Sequence, residues 1–260
     1  MGYIALASDY DGTLAQDGLV APSTIAALER LRASGRRTVL VTGRELRDLQ
    51  RVFQRLDLFD RVVAENGAVL YRPQGQRRGE PGSGERAGIR ASTRDEVLLC
   101  EPPPPAFLSA LRARNIPFSL GRAIVATWEP HHLPVLEAIR KLGLELHVIF
   151  NKGAVLVLPA SVNKESGLLA ALDELGLSPR NTVAVGDAEN DHTFLGACGC
   201  GVAVGNALPM LKERADLVLS GERGDGVEEL IDRLLADDRR LEPGTTTAAG
   251  ARTAFSRRPA

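Results

Sequence analysis

The chain alternates between continuous apolar runs and amphipathic segments over its first part. Three apolar runs are typical of parallel strands buried on both faces, and they span residues 3–8, 37–42 and 61–66. Two segments with apolar side chains at helical spacing separate these runs, at residues 22–35 and 45–56. Pro22 near the start of the first segment and Gly35 at its end are typical helix boundaries. This order predicts an α/β fold with a doubly wound parallel sheet and right-handed crossovers.

The middle of the chain departs from this alternation. Residues 72–88 are rich in Gly, Pro and Arg without periodicity, which predicts a loop or linker. Residues 97–158 predict antiparallel strands and two helices, with a tight hairpin turn at Asn151-Lys152-Gly153. The first alternation resumes at residue 163. We therefore predict a core domain of residues 1–72 and 161–238, an inserted α+β domain at 73–160, and a disordered tail at 239–260.

Composition narrows the class of protein further. A formal net charge of -1 over 260 residues gives no basic excess, which disfavours binding to nucleic acid or to an anionic membrane. Three cysteines cannot form a disulfide framework, and Cys198-Gly199-Cys200 lacks the second ligand pair of a zinc site. The chain opens on a strand-like run, without signal-peptide features, and no apolar run has the length of a membrane span. We expect a cytoplasmic protein, and its oligomeric state stays open.

Polar side chains follow four predicted strands at the point where each strand ends. These residues are Asp9, Thr42, Asn66 and Asp187. Ligands bind outside the carboxyl ends of the strands in an open parallel sheet, so we expect these side chains to converge on one crevice. Lys164 begins a predicted helix directly after the predicted insertion, so we expect it to lie at the same rim of the sheet.

The charges predicted at this rim suit a magnesium ion and a phosphate group. Four carboxylates predict an oxygen-rich anionic pocket, and they belong to Asp9, Asp11, Asp187 and Asp191. Mg²⁺ prefers such ligands and keeps waters that a substrate phosphate replaces. Gly12 permits a sharp turn whose N–H groups can face a phosphate, while Thr42 offers a hydroxyl and Lys164 a positive charge. The set indicates phosphoryl transfer, because positioning and charge neutralisation supply most of that catalysis.

Four segments resemble the motifs of the haloacid dehalogenase (HAD) superfamily. They read DYDGT at 9–13, VTGR at 41–44, VNKESG at 162–167 and GDAEND at 186–191. The insertion between the second and third segments resembles the Cof-type, class IIB members, whose α/β cap lies there, and ENGAVLY at 65–71 is similar to the Asn-Gly-Ala stretch of that branch. The resemblance covers about residues 3–236 and implies a HAD-like, Rossmann-type core with an inserted cap. Ala188 departs from the Gly that many members carry.

The resemblance implies catalytic and metal-binding roles for the acidic residues. Asp9 would attack phosphorus and become an aspartyl-phosphate, and Asp11 would protonate the leaving oxygen and then activate a water. Asp9, the backbone carbonyl of Asp11, and Asp187 would hold Mg²⁺. Asp191 would be a further ligand or would support the ligands.

The resemblance also implies a set of phosphate contacts. Thr42 and Lys164 would bind the phosphate, and Lys164 would also orient Asp9. Gly43 and Asn190 are further candidates for the phosphate site. Arg44 is either a surface charge at a helix start or a contact to phosphate or substrate.

These roles favour a Mg²⁺-dependent phosphatase acting on a small phosphorylated metabolite, by default a sugar phosphate, with phosphoglycolate as a smaller candidate. One alternative is a phosphotransferase of the phosphomutase type, and another is a phospho-accepting module of the receiver type. Whether four residues of the inserted domain contact the substrate stays open, and these are Arg122, Trp128, His131 and His132.

Overall fold

A computed structural model of the chain describes residues 2–73, 91–93, 95–151, 153–236 and 241. Most of the predicted loop at 72–88, Lys152 of the predicted hairpin turn, and all of the predicted tail except Leu241 lie outside these residues. No helix in the described ranges combines the length and the apolar character needed to cross a bilayer.

The described residues form strands β1 Ala5–Ser8, β2 Ala15–Gln16, β3 Leu19–Val20, β4 Arg37–Val41, β5 Arg61–Ala64, β6 Val69–Tyr71, β7 Ala91–Thr93, β8 Glu96–Leu98, β9 Ser119–Leu120, β10 Val125–Trp128, β11 Leu146–Asn151, β12 Ala154–Pro159, β13 Thr182–Gly186, β14 Cys200–Ala203 and β15 Leu217–Val218. The helices are α1 Pro22–Ala33, α2 Leu46–Val52, α3 Pro105–Ala113, α4 His132–Leu142, α5 Lys164–Glu174, α6 His192–Ala197, α7 Pro209–Lys212 and α8 Arg223–Ala236.

A nine-stranded sheet in the order β15-β14-β13-β1-β4-β5-β6-β8-β7 forms the centre of the molecule. The strands from β15 to β5 are parallel, and β6, β8 and β7 extend one edge in antiparallel pairing. Strands β1, β5 and β13 are buried along their whole length, as their continuous apolar runs predict. Helix α1 packs against α8 and α5 packs against α6. The predicted α/β fold with a largely parallel sheet is confirmed.

A second, antiparallel sheet in the order β11-β12-β10-β9 lies between β8 and α5 in the chain. We call residues 105–159, which contain this sheet with α3 and α4, the small-sheet module. One face of the sheet packs against the two helices through an apolar cluster that includes Phe107, Val135 and Val157. The other face packs through Ile124, Leu156 and Leu158 against the end of β5 and the start of β6. The second sheet therefore lies against one end of the large sheet.

Strand β8 falls inside the range predicted for the insertion but belongs to the large sheet. Val97 pairs with Leu70 and Leu98 pairs with Val69 of β6. Val97 packs against the apolar core of the large sheet, while Leu98 packs against the cluster shared with the small-sheet module. Apolar neighbours on both faces therefore hold β8 in the large sheet.

Two predicted elements end earlier than their patterns indicate. Helix α2, predicted over residues 45–56, ends at Val52 because Phe53 is extended, with its ring packed against Tyr10 and Phe59. The strand predicted over residues 61–66 ends at Ala64, where the backbone turns at Glu65 and Asn66 with positive φ.

Candidate active site

The carboxyl ends of adjacent strands bring the predicted polar residues to one edge of the large sheet. Asp9 follows β1 and donates its N–H to Val185 O of β13 at 3.0 Å. Thr42 follows β4 and donates its N–H to Val63 O of β5 at 2.8 Å. Parallel pairing of β13, β1, β4 and β5 therefore places Asp9, Thr42 and Asp187 on one rim.

Three carboxylates on this rim form a buried cluster. Asp9, Asp187 and Asp191 each offer an oxygen within 4.8 Å of the others. Asp191 Oδ2 accepts hydrogen bonds from the N–H groups of Asp187 at 2.8 Å and Ala188 at 2.9 Å, which fix the loop after β13. Thr13 Oγ1 donates to Asp187 Oδ1 at 3.1 Å. The loops after β1 and β13 therefore orient this cluster together.

Lys164 joins the cluster from the first residue of α5. Asn163 caps this helix: its side chain accepts from the Ser166 N–H at 2.9 Å, and its own N–H donates to Ser166 Oγ at 3.1 Å. The cap fixes Lys164 so that Nζ donates to Asp9 Oδ1 at 2.5 Å and to Asp191 Oδ1 at 2.6 Å. All of these charged groups are almost fully buried. The ammonium group therefore holds the position of the carboxylate that the motifs assign as nucleophile.

Charge in this cluster is unbalanced, with three carboxylates for one ammonium group. Burial and the neighbouring Asp191 carboxylate raise the pKa of Asp9 to about 8, although Lys164 opposes them. Burial tends to lower the pKa of Lys164, but Asp191 and Asp9 outweigh it and raise that pKa above its usual value. Lys164 therefore stays charged and donates hydrogen bonds to two carboxylates, Asp9 and Asp191. A divalent cation with oxygen ligands fits this donor set and its surplus of negative charge.

The Asp11 carboxylate lies apart from the three clustered carboxylates. Arg44 Nε donates to Asp11 Oδ2 and Arg44 Nη2 to Asp11 Oδ1, each at 2.7 Å. Arg44 Nη1 also donates to Asp48 Oδ2 at 2.6 Å, and the guanidinium lies 5.5 Å from the centre of the Tyr10 ring. Hydrogen bonding to Asp11 in particular raises the pKa of Arg44 above its usual value. Arg44 therefore positions Asp11 instead of standing free at the surface.

The Thr42-Gly43-Arg44 turn lies beside two asparagines. Thr42 Oγ1 accepts from the Arg44 N–H at 3.1 Å, and a Cβ at Gly43 would lie 3.7 Å from Asn190 Nδ2. Asn190 Nδ2 donates to Asn66 Oδ1 at 3.0 Å. Asn66 Nδ2 and Asn190 Oδ1 are buried and have no hydrogen-bond partner among the described residues, so both can bind a polar ligand group.

The small-sheet module adds polar groups that the motifs do not indicate. Strand β11 contacts residues 189–191, and alternation places His147 and Asn151 on the same face as Ile149, toward the large sheet. His147 Nε2 and Asn151 Oδ1 are buried without a partner in the described part of the chain. Burial lowers the pKa of His147, which favours its neutral ring. The only sequence signal for these residues is a polar side chain at alternate positions of an apolar strand.

The four residues left open in the inserted domain have other contacts. Arg122 Nη2 donates to Glu96 Oε2 at 2.9 Å, and the rings of Trp128 and His131 meet edge to face at 5.8 Å between centroids. His132 packs edge to face against Phe150, whose strand position faces α3 and α4.

Comparison with known proteins bears on the family to which the chain belongs. The family model for haloacid dehalogenase-like hydrolases matches residues 6–78 and 134–231, which include all four motif segments. A phosphoglycolate phosphatase from Methanothermobacter thermautotrophicus is 32% identical over 234 residues, covering 89% of this chain and 98% of that protein. The structure of a haloacid dehalogenase-like hydrolase from Bacteroides thetaiotaomicron matches with a TM-score of 0.71 at 19% identity, over 89% of this chain and 99% of that one. The structure of a HAD subclass IIB sugar phosphatase matches with a TM-score of 0.67 at 19% identity, over 88% of this chain and 98% of that one. These matches confirm the resemblance seen in the motifs, and the chain belongs to the haloacid dehalogenase-like hydrolases.

Proposed function

We propose that the protein is a Mg²⁺-dependent phosphatase that hydrolyses a small phosphomonoester through an aspartyl-phosphate on Asp9. The observation that carries the proposal is the contact of Asp9 Oδ1 with Lys164 Nζ at 2.5 Å inside a buried carboxylate cluster. A buried carboxylate held by one ammonium group is oriented for attack and shielded from water. Membership of the hydrolase family supports the same reaction class.

Asp9, Asp187 and Asp191 would hold the Mg²⁺ ion, together with the backbone carbonyl of Asp11. Their carboxylate oxygens are the hard ligands that Mg²⁺ prefers, and the cluster carries more negative charge than Lys164 neutralises. When bound, the ion supplies positive charge for the phosphoryl oxygens.

The residues of the chain divide the reaction into two displacements. An oxygen of Asp9 bonds to phosphorus while the bond to the leaving oxygen breaks, and Asp11 gives that oxygen a proton. Asp11 then takes a proton from the water that attacks the aspartyl-phosphate, which releases phosphate and restores Asp9. Lys164 and Thr42 would bind phosphoryl oxygens, and Arg44 would keep Asp11 in place through both steps.

The small-sheet module would act as a cap that selects the leaving group. His147 and Asn151 lie on the face of β11 toward the large sheet, and Asn66 and Asn190 lie in loops of the large sheet. Each of the four has a buried polar atom without a hydrogen-bond partner among the described residues. These groups suit a small polar leaving group, such as that of a sugar phosphate or of phosphoglycolate. The 32% identity to a phosphoglycolate phosphatase makes phosphoglycolate the first ester to test.

The test is phosphate release from a panel of small phosphate esters, with Mg²⁺ or with EDTA. We expect phosphate release that requires Mg²⁺ and is lost in Asp9→Asn, because Asn has nearly the same shape as Asp but lacks the nucleophilic carboxylate. Asp232→Asn is the matched control because Asp232 is an exposed carboxylate paired with Arg30 at the surface. Release that persists in Asp9→Asn would contradict the mechanism. Formation of a phosphorylated isomer of the ester, instead of free phosphate, would favour the phosphotransferase. A stable phosphorylated Asp9 without turnover would favour the receiver-type module.

A further inference from the structure

A buried carboxylate directly after β5 of the large sheet accepts hydrogen bonds from the backbone of the small-sheet module. Glu65 is 1% exposed, and its Oε1 accepts from the Arg122 N–H at 2.8 Å. Its Oε2 accepts from the N–H groups of Ala123 at 2.8 Å and Ile124 at 3.0 Å. A Cβ at Gly121 would lie 2.6 Å from the carboxylate, so the fit has no room for a side chain there. Hydrogen bonds to an ionised acceptor are the stronger kind, and three of them converge here.

The backbone that presents Glu65 adopts an unfavourable conformation. Glu65 and Asn66 have φ of 52° and 54°, where side chains other than glycine are uncommon. Gly67 follows at φ 110°, and a Cβ there would lie 2.0 Å from Asn163 O at the start of α5. Such strain persists only where the surroundings fix it, and it concentrates at functional sites.

The same turn is bonded to the candidate phosphate site. The Glu65 N–H donates to Arg44 O, and the Asn66 N–H donates to Thr42 O, each at 2.9 Å. Glu65 therefore connects two parts of the molecule: its N–H binds Arg44 O of the turn at residues 42–44, and its side chain binds the N–H groups of residues 122–124.

A series of contacts connects residues 122–124 to the Thr42-Gly43-Arg44 turn. Strand β10 begins at Val125, and its Ala126 pairs with Leu156 of β12. Leu156 Cδ1 lies 3.7 Å from the Cβ position of Gly43. A shift of residues 122–124 would therefore move Leu156 relative to Gly43.

We propose that Glu65 is a positioning residue that fixes the small-sheet module over the Thr42-Gly43-Arg44 turn and thereby sets which leaving groups fit the site. The inference rests on the proposed phosphatase function for its effect on substrates. Its structural part, the coupling of residues 122–124 to residues 42–44 through Glu65, holds whichever ester is hydrolysed.

The experiment compares Glu65→Gln with Glu174→Gln. The first variant keeps the shape of the side chain but places an amide NH₂ against at least one backbone N–H. The second removes a carboxylate that binds Arg61 and Arg72 of the large-sheet domain, so it tests a general loss of stability. Hydrogen–deuterium exchange of the full chain and kcat/KM for two esters are measured at a temperature where both variants are folded. The esters are the best small ester of the panel and the bulkier p-nitrophenyl phosphate.

We expect Glu65→Gln to speed exchange at residues 122–124 and at 42–44, and to lower the ratio of kcat/KM between the small and the bulky ester by about tenfold. Glu174→Gln should leave the ester ratio unchanged and should speed exchange at these two segments no more than elsewhere in the chain. An unchanged ester ratio with faster exchange only at 122–124 would overturn the proposal and leave Glu65 a structural role.

Two measures keep the test decisive. If Glu65→Gln does not fold, Gly121→Ala disturbs the same contact from the other side and must give the same pattern. If the wild-type protein hydrolyses no ester, the phosphatase proposal fails, while exchange at residues 42–44 still decides the coupling.

Discussion

Arg44 donates to both carboxylate oxygens of Asp11, at 2.7 Å for each pair of atoms. The two residues lie 33 positions apart, in the first and second motif segments. The contact therefore connects Asp11, the candidate acid–base residue, to the Thr42-Gly43-Arg44 turn. A planar guanidinium makes this two-pronged contact and an ammonium group cannot.

Arg44→Lys should therefore lower kcat by about 10- to 100-fold, a part of what general acid–base catalysis contributes, with little change in KM. Steady-state phosphate release measures both constants. Asp48→Asn is the control, because it weakens the contact of Arg44 Nη1 with Asp48 and leaves the Asp11 pair intact. Equal losses in the two variants would show that Arg44 acts through the stability of its surroundings.

Lys164→Met should lower kcat by about 100-fold or more, since the charge that orients Asp9 and offsets phosphoryl oxygens is lost. Removing one partner of a buried ion pair also destabilises a fold, by about 3–5 kcal/mol. Thermal unfolding and phosphate release measure the two effects. Lys141→Met is the matched control, because Lys141 is 63% exposed and pairs with Glu137 at the surface, and it should change neither quantity. Near wild-type kcat in Lys164→Met would contradict the assigned role.

The sequence predicts much of the large sheet and the polar rim, because a buried parallel strand is a continuous apolar run and the next residue marks its end. Asp9, Thr42 and Asp187 follow β1, β4 and β13 in this way. Strand β8 is less predictable, since a three-residue strand with only two apolar residues does not identify the sheet that it joins.

Contacts made by backbone groups leave no pattern in the sequence. Glu65 binds N–H groups 57 to 59 positions away, and any residue type except proline at positions 123 and 124 could supply them. The pairing of Arg44 with Asp11 likewise depends on how two loops meet in space. His147 shows a weak signal only, because a single polar residue in a strand does not identify the surface that it faces.

Mg²⁺ should stabilise the folded protein, because a cation relieves the repulsion among Asp9, Asp187 and Asp191. A ligand that binds only the folded state adds about 2.7 kcal/mol at 100 times its Kd, so the unfolding temperature should rise with Mg²⁺ concentration. Asp187→Asn should abolish most of this rise, and Asp232→Asn should keep it. The measurement is thermal unfolding with Mg²⁺ titrated from an EDTA-treated sample. A rise of equal size in Asp187→Asn would contradict the assigned ligand set.

Glu174 should make stability depend on acid pH. Burial tends to raise its pKa, but hydrogen bonds from Arg72 and Arg61 outweigh burial and hold the pKa below the usual 4.5. The folded state therefore binds its proton less readily than the unfolded state, and the contribution to stability is present above pH 4.5 and lost as pH falls through the folded pKa. Glu174→Gln should lower the free energy of unfolding by about 1–3 kcal/mol at pH 7. The difference from wild type should shrink below pH 4.5 in denaturant titrations, and a constant difference would contradict this origin.

His147→Ala should weaken recognition of the leaving group more than it slows chemistry. His147 Nε2 is buried on the face of β11 toward the large sheet and has no partner in the described residues, while burial lowers the pKa of the ring and so favours its neutral form. Losing one hydrogen bond to a neutral group costs about 0.5–1.5 kcal/mol, so KM for the best ester should rise about two- to tenfold with kcat nearly unchanged. His131→Ala is the matched control, because the His131 ring packs edge to face against the half-exposed Trp128 of the same module. A fall in kcat at constant KM would show instead that His147 acts on the reacting groups and that the leaving group binds elsewhere on the module.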